Sequence, residues 1–162
     1  MTKKLAYGVC LSLLALFSHN IFACACGSDG RSDEEAFTYY QHIFVARITK
    51  AELIKPETDS FSINDKFIVS PVDELIRAKF VVIETFKGDP KQVTEIYGLP
   101  LGNSCGREIY VGGRYLIYTN NKRANLSACD RSHWVDNLKP PDEAVKDRNE
   151  LNWLRSKVKH RK

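Results

Sequence analysis

Hydrophobic and polar residues alternate along much of the chain with the period of β-strands. The stretch 42–53, HIFVARITKAEL, has apolar residues in both alternating sets, which predicts a long strand buried along part of both faces. The stretch 76–89, IRAKFVVIETFKGD, predicts a second strand with Phe80, Val82 and Phe86 on one face, ending in a Gly-Asp-Pro turn. Between them, 54–75 predicts a wide excursion with one weak strand in KFIV.

Shorter strands follow in the second half of the chain. QVTEIYGL predicts a strand with Val93 and Ile96 inward, and GLPLGNSCG predicts a glycine-rich turn region. EIYVGGRYLIYTN predicts a short strand, a turn at the glycine pair and a further strand, and LSAC continues the sheet to Cys129.

One helix is predicted at each end of this strand region. Ser32 and Glu35 form a capping-box pattern that starts a short helix over 33–41. After the proline pair at 140–141, residues 142–158 predict a helix with acids in its first turn and bases in its last. The elements together predict a mainly β fold, a small antiparallel barrel with an N-terminal and a C-terminal helix.

Residues 1–23 have the parts of a signal peptide, with Lys3 and Lys4 before an apolar run. The run is shorter than a membrane-spanning helix requires, and no later segment is long and apolar enough to cross a bilayer. We therefore expect a secreted or periplasmic protein without a stable membrane span. Three N-termini remain open: cleavage after Ala23, cleavage after Ala25, and lipidation of Cys24.

Cysteine parity favours the cut after Ala23, which leaves one domain over 24–162. Cys10 lies in the leader, so the mature chain keeps Cys24, Cys26, Cys105 and Cys129, an even set that can pair fully after export. Cys24 and Cys26 point the same way in an extended chain and are poorly placed to bond each other. Each is therefore expected to reach a distant cysteine, and the two long-range pairings stay open.

The charge distribution and the catalytic motifs restrict the classes of function that the sequence allows. The net charge of +4 includes Lys3 and Lys4, and the remaining basic character lies in a tail from about residue 155. Such a tail allows weak contact with an anionic surface, whereas export argues against nucleic acid as a partner. HExxH, GxSxG and a glycine-rich phosphate loop are absent from the sequence, so we expect neither an enzyme nor a cofactor of its own. A metal site made of Cys24, Cys26, Cys129 and His133 is a weaker alternative to disulfide bonding, because an exported protein usually has its cysteines oxidised.

The motif order resembles a known family. CAC at 24–26, FVARI, VIETFKGD, NSCG, VGGRYLIYTN and LSACDR together resemble the netrin-like module of the tissue inhibitors of metalloproteinases, over about residues 24–158. The resemblance implies an OB-fold-like five-stranded antiparallel barrel. It also implies two disulfides, Cys24–Cys105 and Cys26–Cys129.

The same resemblance implies an inhibitory mechanism and a zinc metalloprotease as partner. The amine and carbonyl of Cys24 would chelate the protease's catalytic zinc, which keeps one position open for water or substrate. Ala25 maps to the residue whose side chain enters the specificity pocket, Cys26 follows it, and Ser104 beside Cys105 maps to the adjoining contact loop. An α-amine of pKa about 7.7–8.0 loses its proton readily on a metal near neutral pH.

The chain also departs from the family. GSDG follows Cys26 in place of a proline-bearing stretch, and the C-terminal subdomain of the animal inhibitors is absent from this sequence. Two alternatives follow: the cysteines are structural staples only, or the protein is a non-inhibitory netrin-like module. Such a module would bind a protein, a polysaccharide or an envelope component through its barrel face or basic tail.

Overall fold

The structure, a computed structural model, describes residues 29–55, 61–63, 67–69, 74–100, 106–135 and 140–159. It is mainly β, with one short helix and one C-terminal helix. The elements in chain order are α1 (Asp33–Tyr39), β1 (His42–Ile54), β2 (Phe61–Ile63), β3 (Phe67–Val69), β4 (Leu75–Lys87), a 3-10 turn (Pro90–Gln92), β5 (Glu95–Gly98), β6 (Arg114–Thr119), β7 (Arg123–Leu126), β8 (His133–Trp134) and α2 (Pro141–Lys159).

Six strands form one curled sheet that makes half of a barrel. Their order is β7-β5-β4-β1-β6-β8, and β2 and β3 form a separate two-stranded hairpin. Every pair is antiparallel except β5 with β7, which run parallel. The hairpin confirms the weak strand in KFIV, while its partner β2 was not predicted.

Part of each face of this sheet is buried, as the apolar run in β1 predicts. One cluster combines five strands on the inside of the curl and includes Phe44, Ile96 and Ile117. The other lies under the two helices and includes Ile43 and Leu154. Because successive strand residues point to opposite faces, neighbouring residues of β1 enter different clusters.

The helix predictions are confirmed, including the capping box. The Glu35 carboxylate accepts the backbone N–H of Ser32 at 2.8 Å, and Ser32 Oγ accepts the backbone N–H of Glu35 at 3.3 Å. These hydrogen bonds hold the pKa of Glu35 below its usual value. In α2, Leu154 is buried and Leu151 and Val158 pack against the same cluster.

The prediction that Phe80, Val82 and Phe86 share one face of β4 is wrong. Phe80 packs against the inner cluster, whereas Phe86 lies in the cluster under the helices. The β1–β4 ladder contains register shifts between Ile43 and Phe44 and between Val45 and Ala46. Such bulges place an extra residue in one strand and change which face it presents.

The predicted strand at 108–111 is also wrong. This segment is irregular. Two of its backbone groups are hydrogen-bonded by the hydroxyl of Tyr115 and not by a neighbouring strand, and this hydroxyl both accepts and donates. It accepts the backbone N–H of Tyr110 at 2.8 Å and donates to the carbonyl of Glu108 at 3.1 Å. The turn at Gly112 and Gly113 then leads into β6 as predicted.

Candidate functional site

The predicted protease-contact residues Cys24, Ala25, Cys26, Ser104 and Cys105 lie outside the described residues, as does the leader at 1–23. The first described residues after them are Asp29 and Gly106. Cys129 is described: it is half-buried and packs against a small apolar cluster of Leu75, Tyr97 and Leu99.

The segment that follows Cys26 is held against the body of the protein. The hydroxyl of Tyr40 donates to the Asp29 carboxylate at 3.2 Å, and Arg131 Nη1 donates to the carbonyl of Arg31 at 2.9 Å. The guanidinium of Arg31 pairs with Asp29 and stacks on the Tyr39 ring, 3.7 Å from its centroid. Burial and the neighbouring Asp29 raise the pKa of Tyr40, so its hydroxyl remains a donor at neutral pH.

A second contact joins the residues that flank Cys105 and Cys129. Gly106 forms an antiparallel bridge with Ser127, and the Ser127 hydroxyl donates to the Asp130 carboxylate at 2.7 Å. Ser127 Oγ also accepts the backbone N–H of Cys129 at 3.2 Å. Residues 29–31, Gly106 and the turn that holds Cys129 therefore lie in one region.

Beside this region, an open cleft of about 1130 Å³ separates the sheet from the first half of α2. It is lined mainly by charged side chains, and we refer to it as the charged cleft. The residues that line it on the side of the sheet and the N-terminal segment are Arg31, Asp33, Arg107, Arg131 and His133. The helix contributes Asp142, Glu143, Val145, Lys146, Asp147, Asn149, Glu150 and Trp153.

Arg131 connects three parts of the protein across this cleft. Besides the carbonyl of Arg31, its guanidinium contacts the carboxylate of Asp33 at the start of α1 and that of Glu150 in α2, the latter at 3.4 Å. Glu150 also accepts a hydrogen bond of 2.7 Å from the hydroxyl of Tyr118, whose pKa is raised by burial. Arg131 therefore ties both helices and the N-terminal segment to the sheet.

His133, a member of the competing metal set, belongs to the same network. Its Nδ1 lies 2.8 Å from the carbonyl of Arg131, which can only accept, so Nδ1 carries a proton. Its Nε2 lies 3.4 Å from carboxylate oxygens of both Asp147 and Glu150. Within the described part of the chain, no group of three or more His, Cys, Asp or Glu side chains is arranged to hold a metal.

The predicted basic tail is in part engaged within the protein. Arg155 forms two hydrogen bonds of 2.8 and 2.7 Å with the Glu84 carboxylate, and Lys157 lies 2.6 Å from that of Glu34. Both contacts fasten the end of α2, to β4 and to α1 respectively. Among the described residues, no helix is long and apolar enough to span a membrane.

The charged cleft was not predicted from the sequence. Arg31, Arg107 and Arg131 lie up to a hundred residues apart, and nothing in their local patterns distinguishes them from surface arginines. The one local signal is the CDRSH stretch around His133, whose spacing suggests a ligand set and not a cleft wall.

The comparisons with protein-family models and with curated proteins supply no relative from which a site could be transferred. The candidate site is therefore defined by the contacts above and by the residues of the Cys-x-Cys motif. No protein-family model matches this chain, and no curated protein matches it.

Proposed function

We propose that this protein is a secreted inhibitor of zinc metalloproteases that acts through the backbone amine and carbonyl of Cys24. The resemblance of the motifs to the netrin-like inhibitors motivates the proposal. The observation that supports it best is the anchoring of residues 29–33, because an inhibitory chain end requires a fixed mount. A rigid terminus loses little conformational entropy on binding, which favours affinity.

In this proposal, Cys24 bonds to Cys105 and Cys26 bonds to Cys129. Cys26 precedes Asp29 by three residues, a span of at most about 11 Å of extended chain. Arg31, two residues after Asp29, is hydrogen-bonded to Arg131, two residues after Cys129. The Gly106–Ser127 bridge brings the residue after Cys105 to the same region. This proximity is compatible with both bonds, which would hold the chain end in place.

The proposed scaffold is a five-stranded OB-like barrel made of β1, β4, β5, β6 and β7. The sheet order β7-β5-β4-β1-β6 with one parallel pair supports a Greek-key arrangement, in which the barrel is partly open. Such a barrel is a rigid support for exposed loops, here the loop at Ser104 beside the N-terminus. Ala25 would enter the specificity pocket of the protease with only a methyl group.

The test uses the mature protein beginning at Cys24 and a variant extended by one alanine before Cys24. The extension moves the α-amine away from the carbonyl of Cys24 and so destroys the five-membered chelate on zinc. We expect the mature protein to inhibit at least one member of a panel of zinc metalloproteases, and the extended variant to lose this inhibition at least 100-fold. One alanine added after Lys162 serves as the matched control.

Circular dichroism of the three proteins establishes that the fold is unchanged. Mass spectrometry of the secreted form establishes whether Cys24 carries a free amine. Inhibition that survives the extension, or an acylated Cys24, would refute the chelation mechanism. In that case the non-inhibitory binding module becomes the better description.

A further inference from the structure

Arg107 is a partly buried cation whose Nε–H has no acceptor among the described residues. It lies directly after Gly106 and lines the charged cleft, and its Nε atom is fully buried. The described residues form no salt bridge with it. Asp130 is near enough to act on it electrostatically, and that carboxylate also accepts the hydroxyl of Ser127 at 2.7 Å. Burial lowers the pKa of Arg107, although a guanidinium remains charged at neutral pH.

Arg131 brings a second buried donor to the same cleft. Its two terminal nitrogens are engaged by the carbonyl of Arg31 and the carboxylates of Asp33 and Glu150. Its Nε–H is buried and has no hydrogen-bond acceptor in the part of the chain that the structure describes. A buried donor without an acceptor costs about 1–3 kcal/mol, and more when the group is charged.

Three carboxylates that line the cleft already contact other cations or the His133 ring. Asp33 and Glu150 contact Arg131, and Asp147 contacts His133. Asp142 and Glu143 lie on the exposed first turn of α2. Arg107 therefore lines the cleft as a cation that forms no salt bridge with a described carboxylate, and Asp130 is the described carboxylate whose charge acts on it.

We propose that the charged cleft binds an oxyanion, a carboxylate or a phosphate, through the guanidinium groups of Arg107 and Arg131. Arginine is suited to this role because its planar guanidinium presents several N–H donors in a fixed geometry that matches oxyanions. The ligand would bind through the outer nitrogens of Arg107, since the Nε atoms of both arginines are buried out of reach of solvent. The charge of Arg131 would add to the attraction. The anion is either a free small molecule or the acidic side chain of a partner protein, and this site does not depend on the inhibitory mechanism.

Side-chain Nε–H resonances of arginine allow a direct test on the wild-type protein by NMR. We expect sodium phosphate or sodium acetate to shift the Arg107 and Arg131 resonances saturably, while sodium chloride at equal ionic strength does not. A peptide with one glutamate and blocked termini tests the second source of the anion. Tighter binding of the peptide than of acetate would assign the site to a partner's side chain, and the reverse ranking would assign it to a free anion.

Two variants distinguish specific anion binding at Arg107 from nonspecific attraction of anions to positive charge. Arg107→Gln should weaken anion binding at least tenfold. Lys146→Gln removes a positive charge from the exposed rim of the same cleft and should change binding less than twofold. The proposal is overturned if neither resonance of the wild-type protein responds to the anions, or if the two variants weaken binding equally.

Discussion

The lysine-glycine pair in the VIETFKGD motif has a specific structural role. Lys87 Nζ donates to the carbonyls of Phe37 and Thr38 at 2.6 and 3.0 Å, which satisfies carbonyls at the end of α1. Gly88 has a positive φ of 73° and passes close to the backbone of Gln41 and the ring of His42. The ring of His42 accepts the backbone N–H of Asp89 at 3.2 Å. The pair thus joins α1, β1 and β4 at one corner.

Substituting Gly88 with alanine should destabilise the protein strongly. A left-handed conformation costs an L-residue roughly 1–2 kcal/mol, and overlap of the new Cβ with the Gln41 carbonyl adds roughly 1–3 kcal/mol. Gly112→Ala is the matched control, since Gly112 has a φ of 90° and a Cβ added there would meet no described atom within 4 Å beyond its chain neighbours. Urea denaturation of both variants measures the difference. Equal losses would show that the close approach at Gly88 contributes nothing.

At the scale of single elements, the paired strands β1 and β4 carry a group of ion pairs around Glu52. These ion pairs predict that the protein loses stability in acid. The Glu52 carboxylate accepts from Lys50 Nζ at 2.8 Å and from Arg77 Nη2 at 2.7 Å, and these contacts lower its pKa to about 2. A carboxylate whose pKa falls on folding stabilises the folded state above its unfolded pKa. This stabilisation is lost as the pH falls from about 4.5 to about 2.

Glu52→Gln should therefore melt at a lower temperature than the wild type at pH 6, and the two melting curves should converge towards pH 2. Melting temperatures measured across this range test the expectation. Glu74→Gln removes an exposed carboxylate next to the same pair of strands and serves as the charge-matched control. A constant difference between wild type and Glu52→Gln at all pH values would contradict the assignment.

Two adjacent residues of α2 allow the contributions of apolar burial and of ion pairing to stability to be compared. Leu154 is fully buried against α1 and the sheet, so Leu154→Ala should cost about 2–5 kcal/mol. Arg155 pairs with Glu84 at the surface, and Arg155→Gln should cost less than about 1 kcal/mol. Urea denaturation measures both. A larger loss for Arg155→Gln would mean that the ion pair, not the apolar face, holds the helix.

These elements also show which parts of the fold can be predicted from the sequence. The capping box and the apolar spacing of α2 are local patterns, and each produces the expected helix. The face of Phe86 could not be predicted, because bulges in the β1–β4 ladder break the alternation. The segment 108–111 has strand-like residues, but the Tyr115 hydroxyl satisfies its backbone instead of a neighbouring strand.

At the scale of the whole molecule, the charged cleft could not be predicted because it depends on contacts between segments that are distant in the sequence. The parallel pairing of β5 with β7 and the Gly106–Ser127 bridge are contacts between distant segments. They bring Arg107 and Arg131 to one cleft, although neither residue belongs to a recognisable motif. The cysteine spacing, by contrast, indicates a clamped N-terminus, and the anchoring of Arg31 by Arg131 is compatible with it.

The proposed pairing of the cysteines makes a prediction about the molecule as a whole. In Cys129→Ser, the cysteine that loses its partner should be Cys26, so alkylation followed by peptide mass spectrometry should label Cys26 alone. Cys105→Ser should instead expose Cys24. Removing either bond should cost about 2–5 kcal/mol in oxidising buffer, and this difference should vanish when the wild type is reduced as well. Labelling of Cys24 in Cys129→Ser would reverse the pairing. The residue proposed to chelate zinc would then be tied to the turn that follows β7, and the loop at Ser104 would no longer adjoin it.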